Sequence, residues 1–392
     1  MSNPETKIDE KTLLERQEKY SKRIHDLHMT EGWWWDVPGF KPRPDQPTEP
    51  TSPVVPHIWR WSDVRPSLLE SGELVGLGQG RRKAERRVLV LNNPGMGGQY
   101  AITNTYFGDL QLIKPGEAAP SHRHTTTATR FVFEGSRGWT TVEGERVYLS
   151  PGDIVLNPQW AWHDHGNDGP DNFLFFDVLD IPLLTSLASA TWDFDYVQVT
   201  GDAKKTVQDL KTPNNYSLNL YNTPGIVPKF LRSSRNDQSP LIAYRWETIR
   251  QSLNRLRSEN GSAYDGIIVE FTNPESGGPI GPTMSACAQL LPLGGKTLSH
   301  RHNTSTVYIV AEGNGYTVVN GTRIEWAKND IFVVPSWNWH EHGNLSDKED
   351  AYLYSISDSP VIEKLGLYRE QRKTPTGEVE HIGWIANQYV QK

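Results

Sequence analysis

His122 and His124 stand two residues apart, and His163 and His165 follow after a run of short apolar segments. Each neutral imidazole offers one lone pair. Three that meet at a point hold a divalent cation and, without a fourth protein ligand, leave one side of it open to substrate. Side chains two apart on a strand share a face, so His122 and His124 point the same way. His163 meets them only if the chain folds back. The intervening sequence supplies the means: residues 130–133, 139–142, 147–149 and 154–156 are rich in β-branched and aromatic side chains and bounded by Gly or Pro-Gly. That is strand and hairpin punctuation rather than helix.

The constellation occurs twice. Ser-His-Arg-His at 121–124 recurs at 299–302, and Trp-His-Asp-His-Gly-Asn at 162–167 recurs as Trp-His-Glu-His-Gly-Asn at 339–344. The offset is 178 residues at His122 and His300 and 177 at His163 and His340. Eight of the 12 histidines fall in these copies, which implies an internal duplication of one metal-site unit. The copies differ in charge. Arg130 stands six residues after His124, where the second copy has Tyr308 after His302. Asp177 corresponds to Tyr354 or Ser355, and the cluster Arg81, Arg82, Arg86 and Arg87 precedes the first copy only. Catalysis is therefore assigned to the first copy. His300, His302 and His340 are read as a hydrogen-bonded core, with metal binding left open.

The spacing of Gly116, His122 and His124, and of Gly152, Pro158, His163 and Asn167, resembles the two cupin motifs. The glutamate ligand of many cupins is replaced by Ala128, and by Thr306 in the second copy. With Ala-Glu-Arg-Arg at 84–87, Asn-Pro-Gly at 93–95 and Gln-Leu-x-x-Pro-Gly-Glu at 111–117, residues 55–375 resemble the gentisate 1,2-dioxygenase group. That group includes salicylate and 1-hydroxy-2-naphthoate dioxygenases. The resemblance implies an all-β bicupin, two jelly-roll barrels in tandem with minor helices, assembled as a homotetramer. It implies Fe(II) on His122, His124 and His163, with dioxygen and a small aromatic acid as partners. Both oxygen atoms would enter an ortho-hydroxybenzoate such as gentisate, with cleavage between the carboxyl- and hydroxyl-bearing carbons. Salicylate, a substituted salicylate and 1-hydroxy-2-naphthoate are the alternative substrates. A non-catalytic small-molecule-binding bicupin and a manganese decarboxylase or oxidase of small dicarboxylates are the alternative classes.

Matching positions assign roles. Arg130, with Arg86 and Arg82, would bind the substrate carboxylate through arginine forks. His165 would donate a hydrogen bond or carry a proton, or else serve only a structural bond. Asp177 would orient His165 or an arginine, or form a purely structural ion pair. Gln111 would reach the ring hydroxyl. Phe107 stands where the group tends to carry tryptophan, leaving room for a larger ring.

Five segments follow: an arm at 1–99, the catalytic barrel at 100–184, a linker at 185–265, the second barrel at 266–360 and a tail at 361–392 that would pack across a neighbour. Helical spacing predicts helices at 9–28, 64–74 and 247–257. Trp33, Trp34 and Trp35 are read as a cover for the barrel or a subunit interface rather than a substrate mouth. The proline-rich 36–56 reads as an extended connector. A net charge of −7 gives no footprint for nucleic acid or an anionic membrane. The one cysteine, Cys287, excludes an internal disulfide and fits a reducing compartment. No apolar run reaches the roughly 18 residues of a membrane span, and 1–7 lacks a signal core, so the protein is expected in the cytoplasm.

Overall fold

The computed structural model describes residues 9–29, 47–78, 83–200, 203–231 and 237–383. Trp33, Trp34, Trp35 and Arg82 lie outside the described residues. The helix Glu10–Asp26 belongs to a unit of its own and is capped by Asp9, whose carboxylate accepts from the Thr12 amide. From Pro50 onward the chain forms two β-barrels, each of two facing sheets.

In the first barrel, one sheet has the spatial order Ala243–Tyr244, Ile154–Asn157, Ala128–Glu134, Phe173–Leu179, Phe107–Ile113, Val88–Val90. The facing sheet has the order Trp192–Asp193, Ala118–His124, His163–Asn167, Gly138–Val142, Glu145–Leu149. The second barrel repeats the plan. His57–Trp59, Ile331–Val334, Thr306–Glu312, Ala351–Ser357, Ser285–Leu291 and Ile267–Glu270 face Thr322–Ala327, Asn314–Val319, His340–Asn344, His300–His302, Arg369–Lys373 and Val379–Gly383.

Phe173–Leu179 is buried at every position, so its sequence shows no clean alternation. One face fills the barrel, where Phe173 and Phe175 pack with Ile113, Val132, Val142 and Leu149. The other face packs on the second barrel. There Leu110, Phe131 and Phe176 share one core with Ile309, Val333 and Tyr354. Tyr354 closes this seam, stacking edge-on against Phe131 and donating its hydroxyl to the Gly152 carbonyl at 2.9 Å.

Short segments outside the expected barrel spans complete the sheets, and they do so crosswise. His57–Trp59, in the expected arm, pairs with Ile331–Val334 of the second barrel. Ala243–Tyr244, in the expected linker, pairs with Ile154–Asn157 of the first. Each leads into a helix whose first amide is capped by the same barrel. Trp61 N donates to Asp330, opening the helix Trp61–Leu74, and Trp246 N donates to Asp153, opening Trp246–Arg255. The expected tail enters the second barrel of its own chain: Arg369–Lys373 pairs with His300–His302.

The seam carries a reciprocal pair of buried carboxylates. Asp180 accepts from the Thr127 amide within its own barrel and from the Thr283 hydroxyl of the other. Asp358 accepts from the Ser305 amide at 2.9 Å and the Thr105 hydroxyl at 2.7 Å, again one from each barrel. Burial pushes both carboxyls up to about 6. Asp358→Ala removes two buried acceptors and leaves the Ser305 amide unpaired, a loss of about 1–3 kcal/mol. Denaturant unfolding is expected to show that drop in midpoint with the metal content unchanged.

Candidate active site

The strand register builds the triad. His163 lies opposite His122 across the Ala118–His124 and His163–Asn167 pair, and His124 shares the face of His122. Arg123, between the two, points outward, stacks on Trp160 and Trp162 and pairs with Asp193. One ring nitrogen from each of His122, His124 and His163 lies within 4.8 Å of the others. His122 Nε2 and His163 Nε2 are 3.0 Å apart.

The outer nitrogens set the tautomers. His163 Nδ1 donates to the Ala161 carbonyl at 2.9 Å, and His124 Nδ1 to the Thr126 carbonyl at 2.8 Å. Their Nε2 lone pairs are thereby turned inward. Burial, and after it the nearby Arg86, holds His122 well below the ordinary imidazole range. Burial, and after it the neighbouring imidazoles, does the same for His163, and burial takes His124 down to about 4. Three neutral rings with converging lone pairs fit a divalent transition-metal ion. Glu85 Oε1 is 3.1 Å from His122 Nδ1, on the outer edge of the ring and off the line of a hydrogen bond. It does not fill the inner side.

That side opens into a cavity of about 210 Å³. Arg86, Phe107, Gln111, His165 and Asp177, all named from sequence, stand in its wall. Glu85, Asp109, Trp192 and Phe194 stand there too. The motif Ala-Glu-Arg-Arg contains Glu85, but Trp192 and Phe194 come from the expected linker, where nothing in the sequence marks them. Phe194 lies 5.6 Å from His122 ring to ring.

Arg130 is the exception. It is wholly buried and absent from the cavity wall. Arg130, Asp177 and Asp109 sit directly opposite one another on three neighbouring strands. The Asp177 carboxylate takes Arg130 Nε at 2.8 Å and Nη2 at 2.7 Å. Arg130 Nη1 reaches Thr140 Oγ1 at 2.9 Å and His165 Nδ1 at 2.8 Å, and the guanidinium stacks 3.6 Å over Phe175. The fork expected to meet a substrate carboxylate is engaged by the Asp177 carboxylate in this structure. Arg86 is the cation in the wall, its side chain 8% exposed, held by Glu85 and by the Pro120 carbonyl at 2.9 Å.

The same pair fixes its neighbours. Gln111 Nε2 bridges Asp177 at 2.9 Å and Asp109 at 3.2 Å, so its donors are spent on carboxylates. Arg130 binds Asp177 through two bonds, and Asp109 has none from an arginine. Burial, and next the Asp177 charge, pushes the Asp109 carboxyl well up. An arginine only donates, so His165 presents a lone pair to Arg130. His165 Nε2 lies 3.1 Å from Arg130 Nη2, yet a neutral ring has one lone pair, and the shorter 2.8 Å contact gives it to Nδ1. The proton then sits on Nε2. Burial, and after it the Arg130 charge, holds His165 well below the ordinary range.

Residues 109–179 and 288–357 match the cupin domain family model. The chain is 38% identical over 333 residues to 5-aminosalicylate 1,2-dioxygenase of Comamonas sp, covering 84% of each chain. It is 37% identical over 360 residues to gentisate 1,2 dioxygenase 1 of Aquipseudomonas alcaligenes, covering 91% of this chain and 96% of that one. A salicylate 1,2-dioxygenase variant from Pseudoaminobacter salicylatoxidans, solved in complex with gentisate, superposes with a TM-score of 0.79 at 32% identity. That match covers 95% of this chain and 98% of the other. The two barrels, the histidine triad at the cavity and these relatives establish that the chain belongs to the family of gentisate, salicylate and hydroxynaphthoate 1,2-dioxygenases, ring-cleaving enzymes on the bicupin fold.

Proposed function

We propose that the protein is an Fe(II)-dependent dioxygenase that opens the ring of a single-ring ortho-hydroxybenzoate bearing a polar donor on the ring, with gentisate the leading candidate. The open inner flank of the triad, facing a cavity with a buried arginine in its wall, supports this most directly. Iron(II) on His122, His124 and His163 would supply the redox chemistry that joins dioxygen to the ring. Three neutral ligands leave the ion's double charge uncompensated, so a substrate with adjacent phenolate and carboxylate oxygens complements it.

The chain's own residues do the rest. Arg86 pairs with the substrate carboxylate, and its burial strengthens that pairing. His165 acts as a hydrogen-bond donor through Nε2, since the adjacent Arg130 charge opposes a second proton. Arg130, Asp177 and Gln111 are positioning residues: they hold the tautomer of His165 and the place of Asp109. Trp192, Phe194 and Phe107 supply apolar wall against which the substrate ring packs.

Asp109 favours a particular kind of ring. Its carboxyl stands in the wall with the Gln111 amide as partner and suits a hydroxyl or amine donor. Gentisate and 5-aminosalicylate carry such a group para to the phenol; salicylate and 1-hydroxy-2-naphthoate do not. The cavity is also smaller than the roughly 300–1,000 Å³ typical of drug-sized ligands, which favours one ring over two. The second reading, 5-aminosalicylate, rests on the same carboxyl.

Oxygen uptake by anaerobically purified, Fe(II)-loaded protein should be one equivalent per gentisate or 5-aminosalicylate consumed and slower with salicylate. Absence of uptake with every ortho-hydroxybenzoate tried would remove the enzymatic reading. Asp109→Ala is expected to lower the kcat/KM ratio of gentisate to salicylate by about tenfold, the worth of one lost hydrogen bond to a polar substituent. Arg86→Met should raise KM by at least about tenfold with iron content unchanged. Arg130→Met strands the buried Asp177 charge, so it should cost about 3–5 kcal/mol of stability and lower kcat, an outcome Arg86→Met does not share.

A further inference from the structure

Asn157 stands in the wall of the first-barrel cavity and is 2% exposed. Its side-chain Oδ1 is buried and has no hydrogen-bond partner. Buried polar atoms are rarely left in that condition, because burial without a partner is costly. One that sits in a cavity wall is poised for a ligand.

Strand register fixes where it points. Val155, two residues earlier on the strand Ile154–Asn157, packs in the barrel interior with Val132 and Phe175, so Asn157 points inward as well. Asn157 lies directly opposite Ala128, Ala128 opposite Leu179, and Leu179 opposite Phe107. All four line the cavity. They form the row beside Arg130, Asp177 and Asp109, two residues away along each strand. Three members of this row are apolar, and Asn157 is its polar group.

The row ends beside the triad. The strand Ile154–Asn157 runs through the turn at Pro158 towards His163, and that turn is tied down where Trp160 N donates to the His124 carbonyl at 2.7 Å. Ala128, four residues after His124, presents only a methyl group next to Asn157. Asp109 stands at the other end. The strands Ala128–Glu134 and Phe173–Leu179 run between its strand and that of Asn157, so the two polar groups face the cavity three strands apart. A ring with two polar groups para to one another points them in opposite directions. Where Asp109 takes the outer hydroxyl or amine, the phenol is turned the other way, towards the triad and Asn157.

We propose that Asn157 is a substrate-binding residue whose amide hydrogen-bonds the phenol oxygen, an inference that rests on the ortho-hydroxybenzoate reading above. A primary amide carries both donors and an acceptor, so it pairs with that oxygen whether or not the oxygen holds its proton. Arg86 then meets the carboxylate, Asn157 the phenol and Asp109 the para substituent, and each polar group of gentisate has its own partner in the wall.

Anaerobic equilibrium binding of gentisate and of 3-hydroxybenzoate to Fe(II)-loaded protein tests this. The second acid keeps the carboxylate and the outer hydroxyl of gentisate and lacks only the phenol. Asn157→Leu should weaken gentisate at least about tenfold, leave 3-hydroxybenzoate within about twofold and keep the iron content unchanged. A loss shared equally by the two acids, or by neither, overturns the proposal. If the unmodified protein binds no gentisate, the ortho-hydroxybenzoate reading itself falls, and the proposal with it. Should Asn157→Leu fail to fold, Asn157→Ser, which is polar but too short to span the same gap, is read by the same comparison.

Discussion

Three imidazole lone pairs aimed at one point repel each other unless a cation sits between them. His122 Nε2 and His163 Nε2 stand 3.0 Å apart, close enough to share a proton or to meet on one cation. Burial opposes placing that charge on the rings. A metal ion meets the requirement, and the backbone carbonyls of Ala161 and Thr126 hold the rings ready for it. Because every ligand is neutral, the remaining charge must be met from the open side. The cavity on that side, with Arg86 in its wall, is where an anionic group can meet it.

Beneath the cavity runs a row of charged groups across the sheet: Asp109, Asp177 and Arg130, each opposite the next. Such a row inside a barrel is stable only when its members pair, and Arg130 and Asp177 do so completely. The pair meets His165 on one side and leaves Asp109 as a polar group in the cavity wall. A residue that looks from sequence like the substrate's cation also holds Asp177 and His165 in place.

The histidine constellation was readable because its signal is local. Spacing of two on a strand, a Gly before each motif and a repeat 177 or 178 residues on need no knowledge of tertiary contacts. The barrel strands were readable for the same reason, since four to seven residues of apolar pattern announce themselves. An ion pair of Asp177 with an arginine was open from sequence, but that Arg130, 47 residues away, is the partner comes only from strand register. Trp192 and Phe194 were missed because strands of two residues carry no periodicity. His57–Trp59 and Ala243–Tyr244 were hidden likewise, although Arg60-Trp61 and Arg245-Trp246 mark the start of the two exchanged helices.

The central claim is that the metal in the first barrel keeps an open flank which an ortho-hydroxybenzoate fills directly. Anaerobic titration of gentisate into metal-free and Fe(II)-loaded protein tests it most directly. Chelation to the ion should make binding to the loaded form tighter by at least about 100-fold, equivalent to roughly 2.7 kcal/mol. Equal affinity in the two forms would mean that the substrate does not meet the metal, and would contradict the account.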